Sequence, residues 1–388
     1  MKQNLFFFFI IEIYSFTKKI SDYYSDSNGL LTTLLSIGDP AGKMRYFQID
    51  LEIPFNWIQS TSYEVGYSNA LQCVGIDDVT IENVKTQCKL YHDYIKFPGS
   101  GVGIGKFFFY INQNENIKGF SSLSFSLQPG NEVFSLSKKL KEIGTINNNR
   151  FGFVPRHLPQ STNKESIIYF GDLPEEIKNY TKSISIKLRD TDTKWGFNIN
   201  KIIFKNLNKN KVFIVNSFAI LRSIDHKITV PSSFFAFLID NIFSSFIERN
   251  ICFLHKFNHY EQIECVMKLI KDLGELYLIL DENIGLKLHL LDFFRVPSVN
   301  GTFLIETQLG ENQWIIGNTI LKYFATLFDI DNKIITFYGD NTILEQEIVE
   351  LLTNTNYGAN TIIFKLIIVT LMFGIFFKVY IFIKIKNN

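Results

Sequence analysis

From Gly29 to Gly339 the chain runs in short alternating or wholly apolar stretches, each broken by Gly, Pro, Asn or Asp. Residues 31–37, 44–53, 106–111, 166–170, 183–188, 201–204 and 211–220 are stretches of this kind. Apolar residues recurring every second position over such lengths predict strands, and so many of them predict an all-β body with few helices. Three short helices are expected, over 133–143, 232–249 and 316–323. The Asn-rich stretches 146–150 and 206–211 read as surface loops. No period of 20–50 residues recurs, which argues against a solenoid.

Both ends depart from this pattern. Residues 1–16 carry one early charge, Lys2, and then an apolar run from Leu5 to Phe16 broken only by Glu12, Tyr14 and Ser15. That run has the length of a signal-peptide core and is short for a membrane span. Residues 1–20 are therefore expected to be a signal peptide or an N-terminal apolar segment. Residues 362–383 are apolar except for Lys365 and Lys378 near the two ends. As a helix they would be about 33 Å long, enough to cross a hydrocarbon core with both lysines reaching toward the interfaces. A transmembrane helix over 362–383 is expected, after a spacer over 341–361. The basic tail 384–388 should be cytoplasmic and the body lumenal or extracellular. Two glycosylation sequons, at Asn179 and Asn300, suit that orientation. Nothing between 30 and 345 is long and apolar enough to span.

Composition narrows the chemistry. Lys+Arg 39 against Asp+Glu 38 leaves a net charge of +1, so there is no basic footprint for nucleic acid. Hydrophobic residues at 46% and charged residues at 20% suffice for a core. Phe is abundant, 39 residues, and isolated Phe residues carry no message by themselves. The four cysteines form two local pairs, Cys73/Cys88 and Cys252/Cys265. An even count in local pairs suits two disulfides of an oxidising compartment, the alternative being four buried thiols. No C-x-x-C occurs and no His stands at ligand spacing, so neither a metal nor a cofactor is expected. Residues 99–106, GSGVGIGK, fit neither phosphate-binding glycine motif, and Phe107 follows where a hydroxyl would be needed. A glycine-rich hairpin is expected there.

The stretch Trp314-Ile-Ile-Gly-Asn-Thr-Ile-Leu-Lys-Tyr-Phe-Ala-Thr-Leu-Phe-Asp329, followed by Asp331-Asn-Lys-Ile-Ile-Thr-Phe337, resembles the C-terminal signature of pepsin-like aspartic proteases. Other segments fall in line. Ile37-Gly-Asp-Pro40 resembles the I-G-T-P hairpin, and 133–144 resembles the helix after the first lobe's second hydrophobic-glycine motif. Residues 151–154 and 166–171 resemble the strands leading into the second lobe, and Trp195-Gly-Phe-Asn-Ile resembles that lobe's W-x-I strand. The resemblance implies a bilobal all-β fold with lobes over 30–175 and 176–340. The activity it implies is peptide hydrolysis by two carboxylates, one from each lobe, that share a proton. Each carboxylate sits in Asp-Thr-Gly, whose Thr hydroxyl ties the two loops together.

The residues at those places do not match. At the first loop stand Asp50-Leu-Glu-Ile-Pro-Phe-Asn-Trp57: Asp50 and Trp57 are in register, but Thr, Gly and both Ser are gone. At the second, Ala219-Ile-Leu-Arg222-Ser-Ile-Asp225 leads to Pro231, and the spacing puts Arg222 at the aspartate's position. The flap's Tyr-Gly-x-Gly has its nearest match in Phe97-Pro98-Gly99. If Arg222 faces Asp50, the guanidinium holds that carboxylate ionised and the dyad is dead; otherwise Arg222 turns to solvent. The resemblance thus implies a membrane-anchored, non-catalytic relative with a peptide or protein ligand in the inter-lobe cleft, or a structural role. The alternative is an aspartic endopeptidase with a non-standard centre, Asp50 with Asp225 or Glu52. Only about a dozen residues separate the apolar start from the first expected strand, with Lys18 and Lys19 the only basic ones, so no long inhibitory propeptide is expected.

Overall fold

The computed structural model describes residues 16–351, apart from 26–27, 39–42, 60–67, 69–70, 82–83, 99–101, 113–120, 156–165, 180–181, 207–208, 282–283, 297–298, 309–311, 345–346 and 349–350. Two β lobes share one central sheet. That sheet has six antiparallel strands in the order Ser183–Lys187, Ile334–Tyr338, Ala325–Asp329, Arg150–Val154, Ile167–Phe170 and Phe16–Ser25. Three of these precede the second lobe in sequence and three belong to it, so the sheet stitches the lobes together. The strand Phe16–Ser25 begins inside the segment expected to be a leader: Lys18 lies opposite Ile168 and Lys19 opposite Ile167. Residues 1–15, together with the segment 362–383 expected to cross a membrane, most of the spacer and the tail, lie outside the described residues. Among the described residues no helix is long and apolar enough to cross a membrane.

Within each lobe the same four-strand arrangement recurs. In the first, Lys43–Asp50 runs parallel to Ser122–Ser124, and Trp57–Gln59 runs parallel to Gly103–Asn112 and antiparallel to Ser122–Ser124. In the second, Lys209–Arg222 runs parallel to Trp314–Gly317, and Ile228–Val230 runs parallel to Ile305–Gln308 and antiparallel to Trp314–Gly317. Parallel neighbours need a crossover connection, and here each crossover carries the lobe's outer hairpins.

The expected elements are present; several strands run longer than expected, as in Gly103–Asn112, Gly196–Asn206 and Lys209–Arg222, and the helices are shorter. The strand expected over 44–53 stops at Asp50, where the chain turns. The helix expected over 133–143 is Leu136–Glu142, started by the Ser135 hydroxyl accepting from the Lys138 N–H at 3.3 Å. The one over 232–249 is two α-helices, Ser232–Leu238 and Ser244–Glu248, joined by a π turn at Ile239–Phe243. The one over 316–323 shrinks to the 3₁₀ turn Ile320–Lys322 because Trp314–Gly317 is strand. A Cβ on Gly317 would lie 2.1 Å from the Lys227 carbonyl oxygen, so only glycine lets these two segments approach. Of the residues expected as a surface loop over 206–211, Asn206 and 209–211 are strand, with Asn206 opposite Lys209.

The cysteines behave unequally. Cys252 and Cys265 face each other on neighbouring strands and form a disulfide. Cys73 and Cys88 do not, which corrects the second expected bridge. On their shared hairpin Cys73 lies opposite Tyr91 and Cys88 opposite Asp77, so the pairing register holds them apart.

Phenylalanine turns out to be organised. Beneath the junction of the lobes, Phe151 stacks on Phe328 with ring centroids 4.8 Å apart, Trp195 meets Phe328 edge-on at 4.9 Å, and Phe125 lies 4.7 Å from Phe151. The Trp195 indole N–H donates to the Phe125 carbonyl at 2.7 Å, satisfying a polar group that burial would otherwise penalise. Contacts of this kind give the two lobes one shared hydrophobic core.

Candidate functional site

The recurring four-strand unit sets Asp50 and Arg222 at equivalent places. Asp50 closes its strand opposite Ser124, and Arg222 closes its strand opposite Gly317. Internal symmetry therefore supports the spacing argument that Arg222 occupies the second aspartate's position. The two loops that follow meet across the cleft.

Asp50 is 2% exposed. Its Oδ1 accepts from the Glu52 N–H at 2.8 Å and the Ile53 N–H at 3.0 Å, and its Oδ2 accepts from the Ser122 hydroxyl at 3.4 Å. The carboxylate is thus folded back onto its own loop, where it satisfies two turn donors. Burial pushes its pKa up, against those hydrogen bonds.

Arg222 does not pair with Asp50, which corrects that expectation. The guanidinium holds Glu52 in a two-pronged contact, Nε to Oε2 at 2.8 Å and Nη2 to Oε1 at 3.3 Å, and reaches Asp225 through Nη1 at 3.4 Å. The Lys194 ammonium donates to the same Glu52 carboxylate at 2.7 Å. Burial works against the charge on Glu52, but the Lys194 and Arg222 cations hold its carboxyl below the usual range. Burial likewise opposes the charge on Arg222, but Glu52 and Asp225 outweigh it and hold its pKa above the ordinary value. Glu52 stands where the pepsin-like loop has glycine. A side chain has replaced the space next to the first aspartate and has filled it with one end of an inter-lobe ion cluster.

One inter-loop tie of the kind the resemblance implies is present. The Ser223 hydroxyl, next to Arg222, accepts from the Leu51 N–H at 3.0 Å and donates to the Ile49 carbonyl at 2.6 Å, and all three groups are buried. A hydroxyl therefore still ties the second loop to the first. The reciprocal tie is impossible because Leu51 has no hydroxyl. The residue was visible as the Thr/Ser allowed after the second aspartate, once Arg222 is placed there.

The cleft retains a cavity of about 400 Å³. Asp50, Glu52 and Arg222 form its floor, Ile53, Pro54, Phe55 and Ile224 give it apolar wall, and Gln128 and Thr80 add polar groups. Thr80 comes from the hairpin Gln72–Ile81 and Val84–Lys96. Phe97, expected in the flap, is 2% exposed and packs with Phe170 at 6.1 Å. The turn it begins is closed by the Phe97 N–H donating to the Val102 carbonyl at 3.0 Å, consistent with the glycine-rich hairpin. Asn179 caps the short helix Glu175–Lys178 and is exposed. Asn300 is also exposed, its amide donating to Glu264 at 3.0 Å. No group of three or more metal-ligating side chains exists among the described residues.

No family model matches the sequence, and no curated protein matches it either. Solved structures do. An aspartic proteinase from Irpex lacteus aligns with a TM-score of 0.62 at 13% identity, over 84% of this chain and 97% of that one. Basic 7S globulin from soybean aligns with a TM-score of 0.62 at 13% identity, over 85% and 98%. At this identity the likeness is one of fold: the chain has the pepsin-like bilobal fold over nearly its whole described length.

Proposed function

We propose that this chain is a non-catalytic protein of pepsin-like fold whose inter-lobe cleft receives an extended peptide or protein segment. The observation that carries the reading is Arg222 at the second aspartate's place, engaged by Glu52. Hydrolysis of this type needs two carboxylates that trade one proton. Arginine stays protonated at any working pH and cannot trade one. The alternative centre, Asp50 with Asp225 or Glu52, meets the same obstacle. Both Glu52 oxygens are held by cations, and Arg222 reaches between Glu52 and Asp225. Recognition is not blocked, since an extended chain binds such a cleft through backbone hydrogen bonds and side-chain pockets. The apolar wall and the two amide and hydroxyl groups suit that use.

The test uses the purified full-length chain in detergent and unfolded casein, from pH 3 to pH 7, with and without pepstatin. The expected result is no new fragment, with casein retained on the immobilised protein and released by Ile224→Arg, which fills the cavity. Pepstatin-sensitive cleavage abolished by Asp50→Asn would overturn the non-catalytic reading. Neither cleavage nor retention would overturn the binding role and leave a structural one.

We also propose that residues 362–383 anchor the body in a membrane, with the body lumenal or extracellular. Supporting this are the apolar run itself, the Cys252–Cys265 disulfide and the exposure of both sequon asparagines. Carbonate extraction and endoglycosidase digestion test it: the chain should stay in the pellet and lose mass, and a soluble, unshifted chain would refute it.

A further inference from the structure

The hairpin of Gly196–Asn206 and Lys209–Arg222 is one-sided in charge. Between Lys194 and Arg222 the chain has four lysines, at 201, 205, 209 and 211, and no Asp or Glu, although the whole chain is balanced at 39 basic and 38 acidic residues. Strand register places Lys201, Ile203 and Lys205 on one face, opposite Ile214, Val212 and Asn210. Lys211 stands at the same end, opposite Phe204, and both it and Lys205 are exposed. Among the described residues no ion pair engages Lys201, Lys205 or Lys211. Glu275 and Glu347 act on the neighbouring Tyr277, but Lys287 and Lys182 already hold them at 2.7 and 2.6 Å. Ile214, 53% exposed, adds an apolar side chain to the lysine-bearing face.

The C-terminal end of the body is fastened to this same face. Ile348 and Leu351 pack on Ile203, Tyr277 and Ile279, with Val212 beside them, and the Asn210 side-chain amide donates to the Leu351 carbonyl at 3.1 Å. Ten residues, 352–361, then separate Leu351 from the apolar run that begins at Ile362. Even fully extended, that length reaches no farther than about 40 Å. We propose that this face of the hairpin docks on the phospholipid bilayer that residues 362–383 cross, with its lysines against headgroup phosphates and Ile214 at the interface. The proposal rests on the membrane reading of 362–383 and is independent of what the cleft binds. Two separate observations meet in it. A short tether holds the face close to a bilayer, and unpaired lysines complement the negative charge found there. A lysine suits such a boundary because its apolar stem and its ammonium settle at different depths. Each lysine close to an anionic surface favours docking by about fivefold, and salt screens that attraction.

The experiment inserts the full-length chain into nanodiscs of phosphatidylcholine, with and without phosphatidylserine, and into detergent micelles. Brief acetylation by an N-hydroxysuccinimide ester, read lysine by lysine by mass spectrometry, reports which ammonium groups the bilayer covers. Lys205 and Lys211 should react at least about fivefold more slowly in discs containing phosphatidylserine than in micelles, and high salt should restore part of the rate. Lys85, on the first lobe with its side chain 74% exposed, should react alike throughout. A second reading uses Ile214→Trp and lipid brominated in its acyl chains. The added indole should be quenched well beyond the native tryptophans, which are buried, and Lys201→Gln/Lys205→Gln/Lys211→Gln should abolish that excess. A chain that does not copurify with the discs refutes the membrane reading and the docking with it. A chain that copurifies while Lys205 and Lys211 react as fast as in micelles refutes the docking alone. So does protection of Lys85 equal to theirs. If the triple variant fails to fold, the wild-type acetylation rates decide by themselves.

Discussion

Ser223 carries more of the cleft than its size suggests. One hydroxyl satisfies a buried donor and a buried acceptor on the opposite loop. Ser223→Ala should therefore cost about 2 kcal/mol, while Ser223→Thr should retain both bonds and most of the stability. Urea denaturation separates the two. Asp50 is the converse case, a buried acid whose work is structural. Asp50→Asn keeps Oδ1 as acceptor for both turn N–H groups, whereas Asp50→Ala orphans them and should cost about 1–3 kcal/mol. The sign with pH follows from the raised pKa. The contribution of Asp50 is fully present below the ordinary carboxylate range and declines as pH rises through its folded value. Asp50→Asn should accordingly match wild type near pH 3 and exceed it at pH 7, as thermal midpoints would show. Part of this could be read beforehand: Asp50, Arg222 and the missing glycine stood out at their positions in the loops. The pairing could not, because Glu52 and Arg222 lie 170 residues apart and nothing in one sequence says which carboxylate a guanidinium will choose.

The elements around the site show where pattern was a good guide and where it was not. Strand positions follow alternation closely, because one face of each strand must be buried and a slip of one residue would invert it. Hairpin roles were less legible. Phe97-Pro98-Gly99 has turn composition, but nothing in the sequence marks Thr80, on the preceding hairpin, as a residue that lines the cavity. Turn residues report that the chain reverses and not what the reversal covers. Cys73 and Cys88 make the same point, since sequence spacing permitted a bridge that strand register forbids. Gly317 is the position where an element's geometry depends on one residue. A Cβ there would approach the Lys227 and Asp225 carbonyl oxygens to 2.1 and 2.6 Å, and both are backbone atoms that cannot swing aside. Gly317→Ala should destabilise by at least about 3 kcal/mol, and Gly75→Ala, with nothing near its added carbon, should change stability by less than about 0.5 kcal/mol. Paired urea titrations of the two variants provide the comparison.

For the whole molecule, the resemblance in Trp314–Gly317 and Phe328-Asp329 was enough to anticipate two lobes, because those residues build both the second lobe's four-strand unit and the shared sheet. The shared sheet and the Phe151–Phe328–Trp195 stack resist separation of the lobes at any pH, whereas the ion cluster does not. Glu52 sits in the first lobe and both of its cations in the second, so its charge is a lobe-to-lobe tie. With a pKa below the ordinary value, that tie is fully present above the unfolded carboxylate range and is lost as pH falls through the folded value. Asp331 and Glu275 are depressed as well, against burial, by Lys141 and Asn149 in one case and by Lys287 and Tyr277 in the other. His226 adds acid sensitivity of a second kind: its neutral form fits the fold, so stability is given up as pH drops from about 6.5 to about 4. Only the Asp50 contribution runs the other way among these groups. The balance predicts a protein that is most stable near neutrality and loosens in acid, the opposite of what an acid-working carboxylate dyad would demand. Urea midpoints at pH 7, 5 and 3.5 should fall in that order. Glu52→Gln should lower the unfolding free energy at pH 7 by about 1–3 kcal/mol and flatten the decline below pH 5, since the variant has already lost the charge that acid removes. A midpoint that rises toward pH 3.5, or a Glu52→Gln variant with an undiminished acid limb, would place the acid sensitivity outside the cleft and remove the ion cluster from the account of what holds the lobes together.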